Sequence, residues 1–171
     1  MYICKNLFQI FLISIGGIMY NSVEFAKYIA AFWNKKGADI NMTKIQKLLY
    51  IAYGTWLAVM DEKLVNESPQ AWPYGPVFPK TRDALLYKDL SSINFDNVAD
   101  KNIERDAQVI GLIDNIFKEF GSWPANSLSN WSHQLGSPWE LTVNRPTFNG
   151  WGIKINDSLI KTWFKKYVIE V

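Results

Sequence analysis

The chain carries one imidazole, His133, inside the run Ser-Asn-Trp-Ser-His-Gln-Leu-Gly-Ser-Pro-Trp-Glu. Ser132 and Ser137 flank it, so the chemistry to consider is nucleophilic: a hydroxyl activated by an imidazole that a carboxylate holds in place. Neighbours in sequence do not make that constellation, because its members must converge in space. The other role open to His133 is to donate to a backbone carbonyl and orient a turn, the usual arrangement for a buried polar ring, and this is the expected one. The carboxylates are scattered. Asp61 and Glu62 close one helical run, and Glu104 and Asp106 lie early in another, where negative charge suits the helix dipole. No G-x-G-x-x-G, P-loop or H-E-x-x-H is present. A single cysteine, Cys4, and a single histidine exclude an internal disulfide and a Cys/His or multi-His zinc site. These residues predict no catalytic group, no metal and no cofactor, hence a protein that is not an enzyme. A hydrolase using His133 is the minor alternative.

A second stretch poses a different question. Gln70–Pro79, QAWPYGPVFP, places three prolines, one glycine and three large aromatics in ten residues. That is too much proline for a helix interior or a central strand, and too apolar for an ordinary surface loop. Pro73, Pro76 and Pro79 stiffen the backbone. Trp72, Tyr74 and Phe78 either plug a core or stand ready for a partner, since a rigid aromatic binds with little entropy left to lose.

Composition favours the second use for some rings. Aromatics make up 15% of 171 residues, with eight Trp, and such surplus rings often serve interfaces. Net charge is +2 without a basic block, which gives nucleic-acid binding no support. Residues 1–18 form an apolar leader. They read best as an upstream mis-start before Met19, and less well as a signal or anchor, because the run is short, contains Gly16-Gly17 and lacks a cleavage pattern. A start at Met19 predicts a cytoplasmic protein with no membrane partner.

Helical periodicity supplies the framework. The first helix is expected over 23–35, capped by Ser22. The second, over 44–60, is capped by a Thr43/Gln46 box and apolar on more than one side. A short helix is expected over 80–87, polar turns over 91–100, and a helix over 102–120 ending at Gly121. Leu128, Trp131 and Leu135 suggest a short helix starting near Ser127. Ser137-Pro138-Trp139-Glu140 starts another. A brief strand over 152–155 precedes a final helix carrying Ile160, Trp163, Phe164 and Tyr167. The fold class is mainly α: one compact helical domain over 19–171, with a small β-hairpin or short strands near the proline-rich segment and before the last helix.

Three segments in this order, TKIQKLLYIAYGTWLA (43–58), QAWPYGPVFP and LSNWSHQLGSPWE (128–140), followed by GIKINDSLIKTWF, make the chain resemble the Panacea antitoxin-domain family, also called SocA-like and formerly phage-associated. The resemblance spans about 19–167. It implies a helical antitoxin of a type II-like toxin–antitoxin system that neutralises a cognate toxin, from an adjacent gene, by direct binding. An alternative it carries is a proteolytic adaptor that delivers the toxin or another client to a Clp-type protease. This chain has Ile45 and Ile51 where Leu and Phe are frequent, and Thr81-Arg82 where Val-Tyr is common, differences that bear on partner choice. Trp72, Tyr74, Phe78, Trp131, His133 and Trp139 are the residues expected to shape the partner-binding region.

Overall fold

The computed structural model describes residues 18–169. The first helix, α1 (Ser22–Lys35), is capped by Asn21 and not by Ser22. The Asn21 side chain accepts from the Val23 and Glu24 N–H groups, and Ser22 Oγ donates to the buried Glu67 carboxylate at 2.8 Å. Helix α2 (Met42–Met60) starts two residues earlier than the sequence pattern suggests. Asn41 caps it through the Lys44 N–H. The Thr43/Gln46 capping box does not form, because Gln46 Oε1 is engaged by the Phe78 N–H at 2.7 Å.

Every residue from Lys44 to Leu57 in α2 is buried, on all faces of the helix. It forms the axle on which α1, the hairpin strand β2 (Gly75–Val77), and the later helices α4 (Ala107–Phe120), α5 (Ala125–Ser132) and α7 (Asp157–Phe164) pack. The packing against α7 requires a missing side chain. A Cβ at Gly54 would lie 2.3 Å from the Phe164 ring. Asp61, in the left-handed region at φ 59°, ends α2.

Beyond α2 the chain runs beside Tyr20: the Tyr20 N–H donates to Leu64 and its carbonyl accepts from Asn66. The Tyr20 hydroxyl donates at 2.6 Å to Asp106, the residue that caps α4. Glu67 accepts from Ser22 Oγ, from Thr81 Oγ1 and from the Lys80 and Thr81 N–H groups, tying α1 to the first turn of α3 (Pro79–Leu85). Strands β1 (Gln70–Trp72) and β2 form a hairpin around the two-residue turn Pro73-Tyr74, and β3 (Ile153–Lys154) joins the far side of β1. The sheet is antiparallel in the order β2-β1-β3. With α6 (Pro138–Val143) the described residues contain seven α-helices, confirming a mainly helical domain with a small sheet.

Three boundaries differ from the sequence reading. Ile103–Arg105 is a 3-10 turn, and α4 begins only after Asp106 accepts from Gln108 and Val109 N–H. Helix α5 follows Pro124 and ends at Ser132, so Leu135 lies in the following turn, 91% exposed, rather than on the helix face with Leu128 and Trp131. Helix α7 loosens into a π-turn at Lys165–Ile169, which leaves Tyr167 half exposed. The apolar leader lies outside the described residues except for Ile18. Among those described, no helix is long and apolar enough to cross a membrane.

Gly54→Ala is expected to lower stability by about 1–3 kcal/mol despite alanine's better helix propensity, because the ring contact cannot relax without moving α7. Urea unfolding checks this. Adding Phe164→Leu is expected to recover part of the loss through coupling between the two positions.

Candidate functional site

Strand β2 lies at an edge of the sheet, and an edge leaves backbone groups unpaired. Two successive side chains of α2 occupy the place a further strand would take. Gln46 Oε1 accepts from the Phe78 N–H, and Lys47 Nζ donates to the Pro76 carbonyl at 2.9 Å. Pro76 itself has no N–H to satisfy, which suits an edge position. One turn earlier, Lys44 Nζ donates to the Gly121 carbonyl at 3.1 Å, closing the C-terminal end of α4. The polar residues of KIQK thus face inward and lock α2 to two neighbours.

The other side of the hairpin is gripped by the α5–α6 junction. Trp139 Nε1 donates to the Trp72 carbonyl at 2.9 Å, and its indole stacks on the His133 ring with centroids 3.8 Å apart. Gly75, at φ 102°, sits where these parts meet. A Cβ there would come within 2.6 Å of Ser132 Oγ, 2.8 Å of Lys47 Cε and 3.0 Å of His133 Nε2. Glycine is required both by the backbone conformation and by the space. Ser137 Oγ donates to the Ser132 carbonyl and caps α6, which fixes the junction.

The six residues singled out from sequence therefore have different positions. Phe78 and Trp131 are core residues: Phe78 packs edge-on against Tyr53, and Trp131 against Phe120, Trp163 and Phe164. Phe78 is fully buried and Trp131 nearly so. Trp72, His133 and Trp139 are half-buried and brace the hairpin, while Tyr74 stands at its tip, 79% exposed. Sequence reasoning missed Gln46 and Lys47, whose polar character within an otherwise apolar helix face was the available signal. It also missed Leu135 as a surface residue, and it noted Arg82 only as a departure from the family pattern, whereas its guanidinium lies over the Trp72 ring at 5.5 Å.

His133 does not make the expected bond to a backbone carbonyl. Its Nε2 is buried and has no hydrogen-bond partner among the described residues. Burial and the nearby Lys47 charge both push its pKa down. Ser132 Oγ donates to the Ser129 carbonyl at 2.8 Å, not to His133. Among the described residues no carboxylate hydrogen-bonds the ring, so the third member of a hydrolytic set is not in place. Burial also drives Lys47 down to a pKa of about 7, because no counter-charge offsets the loss of water.

The residues that brace the hairpin, Gln46, Lys47, Ser132, His133 and Trp139, lie within the span that matches a family model. Residues 45–140 match the model described as antitoxin SocA-like, Panacea domain, and the chain belongs to that family. It is similar to the Antitoxin SocA of Caulobacter vibrioides (strain NA1000 / CB15N), at 29% identity over 147 residues that cover 77% of this chain and 76% of the relative. No solved structure gives a significant match.

Two outcomes test the bracing. Gly75→Ala is expected to cost roughly 1–3 kcal/mol in unfolding free energy, through strain at positive φ and overpacking. Lys47 holds a proton in the unfolded chain up to about pH 10.5 but loses it near pH 7 when folded. Below pH 7 both states are charged and the burial cost is fully present. Between pH 7 and 9.5 the unfolded state binds more protons, so stability rises with pH. Lys44, whose pKa burial also lowers, adds in the same direction. Lys47→Met is expected to flatten this rise by up to about 1.4 kcal/mol per pH unit, read from urea midpoints across that window.

Proposed function

We propose that this chain neutralises a cognate protein toxin by direct binding, using the hairpin and the α5–α6 turn as a preformed contact surface. The observation that carries this reading is the hairpin tip. Tyr74 projects into solvent from a backbone held on one side by Gln46 and Lys47 and on the other by Trp139. Leu135, 91% exposed, lies two residues beyond His133, which itself meets Gly75 next to Tyr74. Large apolar groups on a rigid support suit an interface, because little conformational freedom is lost on binding. Family membership supports an antitoxin role, and the surface supplies a means of performing it.

The toxin is the product of an adjacent gene in this proposal. Co-expression with that neighbour is expected to restore growth that the neighbour alone arrests. Tyr74→Ala combined with Leu135→Asp is expected to weaken the complex by about 30-fold or more, as loss of a central anchor does, and to abolish rescue while the melting temperature holds. A neighbour that is harmless alone removes the proposal's main support. A toxin whose half-life shortens when this chain is present, and recovers in a host lacking Clp-type proteases, favours delivery over masking.

A further inference from the structure

Beside the hairpin tip, between the first turns of α2 and the β1–β2 turn, lies a cleft of about 280 Å³. Met42, Trp72, Tyr74 and Val77 give it apolar walls, and its charged lining residues are Lys47 and Arg82, with no acidic side chain among them. The Lys47 ammonium is 1% exposed and has three donors, of which the Pro76 carbonyl takes one. His133 Nε2, which approaches the same Gly75 position as Lys47 Cε, also lacks a hydrogen-bond partner among the described residues. Arg82 is held over Trp72, and its ion pair is a 3.2 Å contact with Asp83, whose side chain is 74% exposed. A pair so open to solvent is weak and is easily exchanged for a better partner.

A buried ammonium without a counter-charge is costly to keep, and it is offset when a carboxylate arrives with matching hydrogen bonds. We infer that this cleft receives an acidic side chain, Asp or Glu, carried on a linear segment of the partner polypeptide, with Lys47 and Arg82 as its ligands and Trp72 and Tyr74 covering the flanking residues. The inference rests on the proposed binding function and specifies the chemistry of the partner. The volume accommodates one or two side chains, not a folded element, and an aromatic wall beside a fork of donors suits an apolar residue next to an acid. Arg82 supplies a planar fork at the rim, and Lys47 supplies the charge at the back.

The test uses the purified full chain and a phage-displayed library of random ten-residue peptides, flanked on both sides so that no free C-terminus is presented. Selection is expected to enrich Asp or Glu at one position beside an apolar residue. A fluorescent peptide of the enriched sequence is expected to bind at least about 10-fold more tightly than its Asp→Asn or Glu→Gln counterpart, as loss of a charge-assisted bond predicts. That difference is expected to vanish in Arg82→Gln, a half-exposed position where folding is not at stake, and in Lys47→Met if its melt is retained. Absence of any enriched peptide, enrichment without an acid, or an acid preference that survives Arg82→Gln overturns the inference. So does enrichment confined to a library with free C-termini, which would assign the cleft to a terminal carboxylate. The peptide result and the growth rescue are independent. Rescue with no acid preference refutes the cleft alone, and an acid preference with no rescue refutes toxin neutralisation alone.

Discussion

The arrangement of this domain depends on one substitution of roles: side chains of a helix stand where a strand would otherwise pair. Strand β2 is three residues long and contains a proline, so by itself it cannot hold a hairpin in register. Gln46 and Lys47 supply a carbonyl acceptor and an ammonium donor to its outer edge, at Phe78 and Pro76. The helix that carries them is the most buried helix among the described residues, so the hairpin inherits the rigidity of the core. Trp139 and the α5–α6 junction then close the opposite side. Charge buried without an opposite charge is a poor contributor to stability, and here the ammonium serves to position the Pro76 carbonyl.

The same economy of polar groups recurs elsewhere. Asp106 caps α4 with one oxygen and accepts the Tyr20 hydroxyl with the other. Asp157, at the start of α7, accepts the Tyr53 hydroxyl and pairs with Lys63. Lys44 ends α4 from within α2. Helix termini leave backbone groups that need partners. Most N-termini here are capped locally, but Lys44 at the end of α4 and Glu67 at the start of α3 come from distant elements, so at those two ends capping also serves as tertiary connection.

This explains which parts could be read from the residues alone. The long amphipathic runs of α1, α2 and α7, the Ser-Pro start of α6 and the hairpin in the proline-rich segment follow from local chemistry. So did family membership, because three motifs occur in a fixed order. The caps were less legible: Ser22 and Gln46 both have the right type for capping, yet Glu67 and Phe78, far away in sequence, claim them. Leu135 continued an apolar spacing that the chain abandons at Ser132. Among the six aromatic and imidazole candidates, side-chain type did not separate Phe78 from Tyr74. Tyr74 lies in the hairpin turn and faces solvent, whereas Phe78 follows β2 at the entry to α3 and packs on Tyr53, so position in the tertiary fold and not side-chain type separates them.

The hairpin's two clamps come from segments made at different times. Gln46 and Lys47 leave the ribosome before the strand they hold, but Trp139 follows it by more than sixty residues, and the Phe164 ring that seats α2 emerges later still. A nascent chain therefore carries its aromatic tip half-supported until Trp139 has been added. Any product cut short before α7 is released without the ring that seats α2, and so without the tip's full bracing.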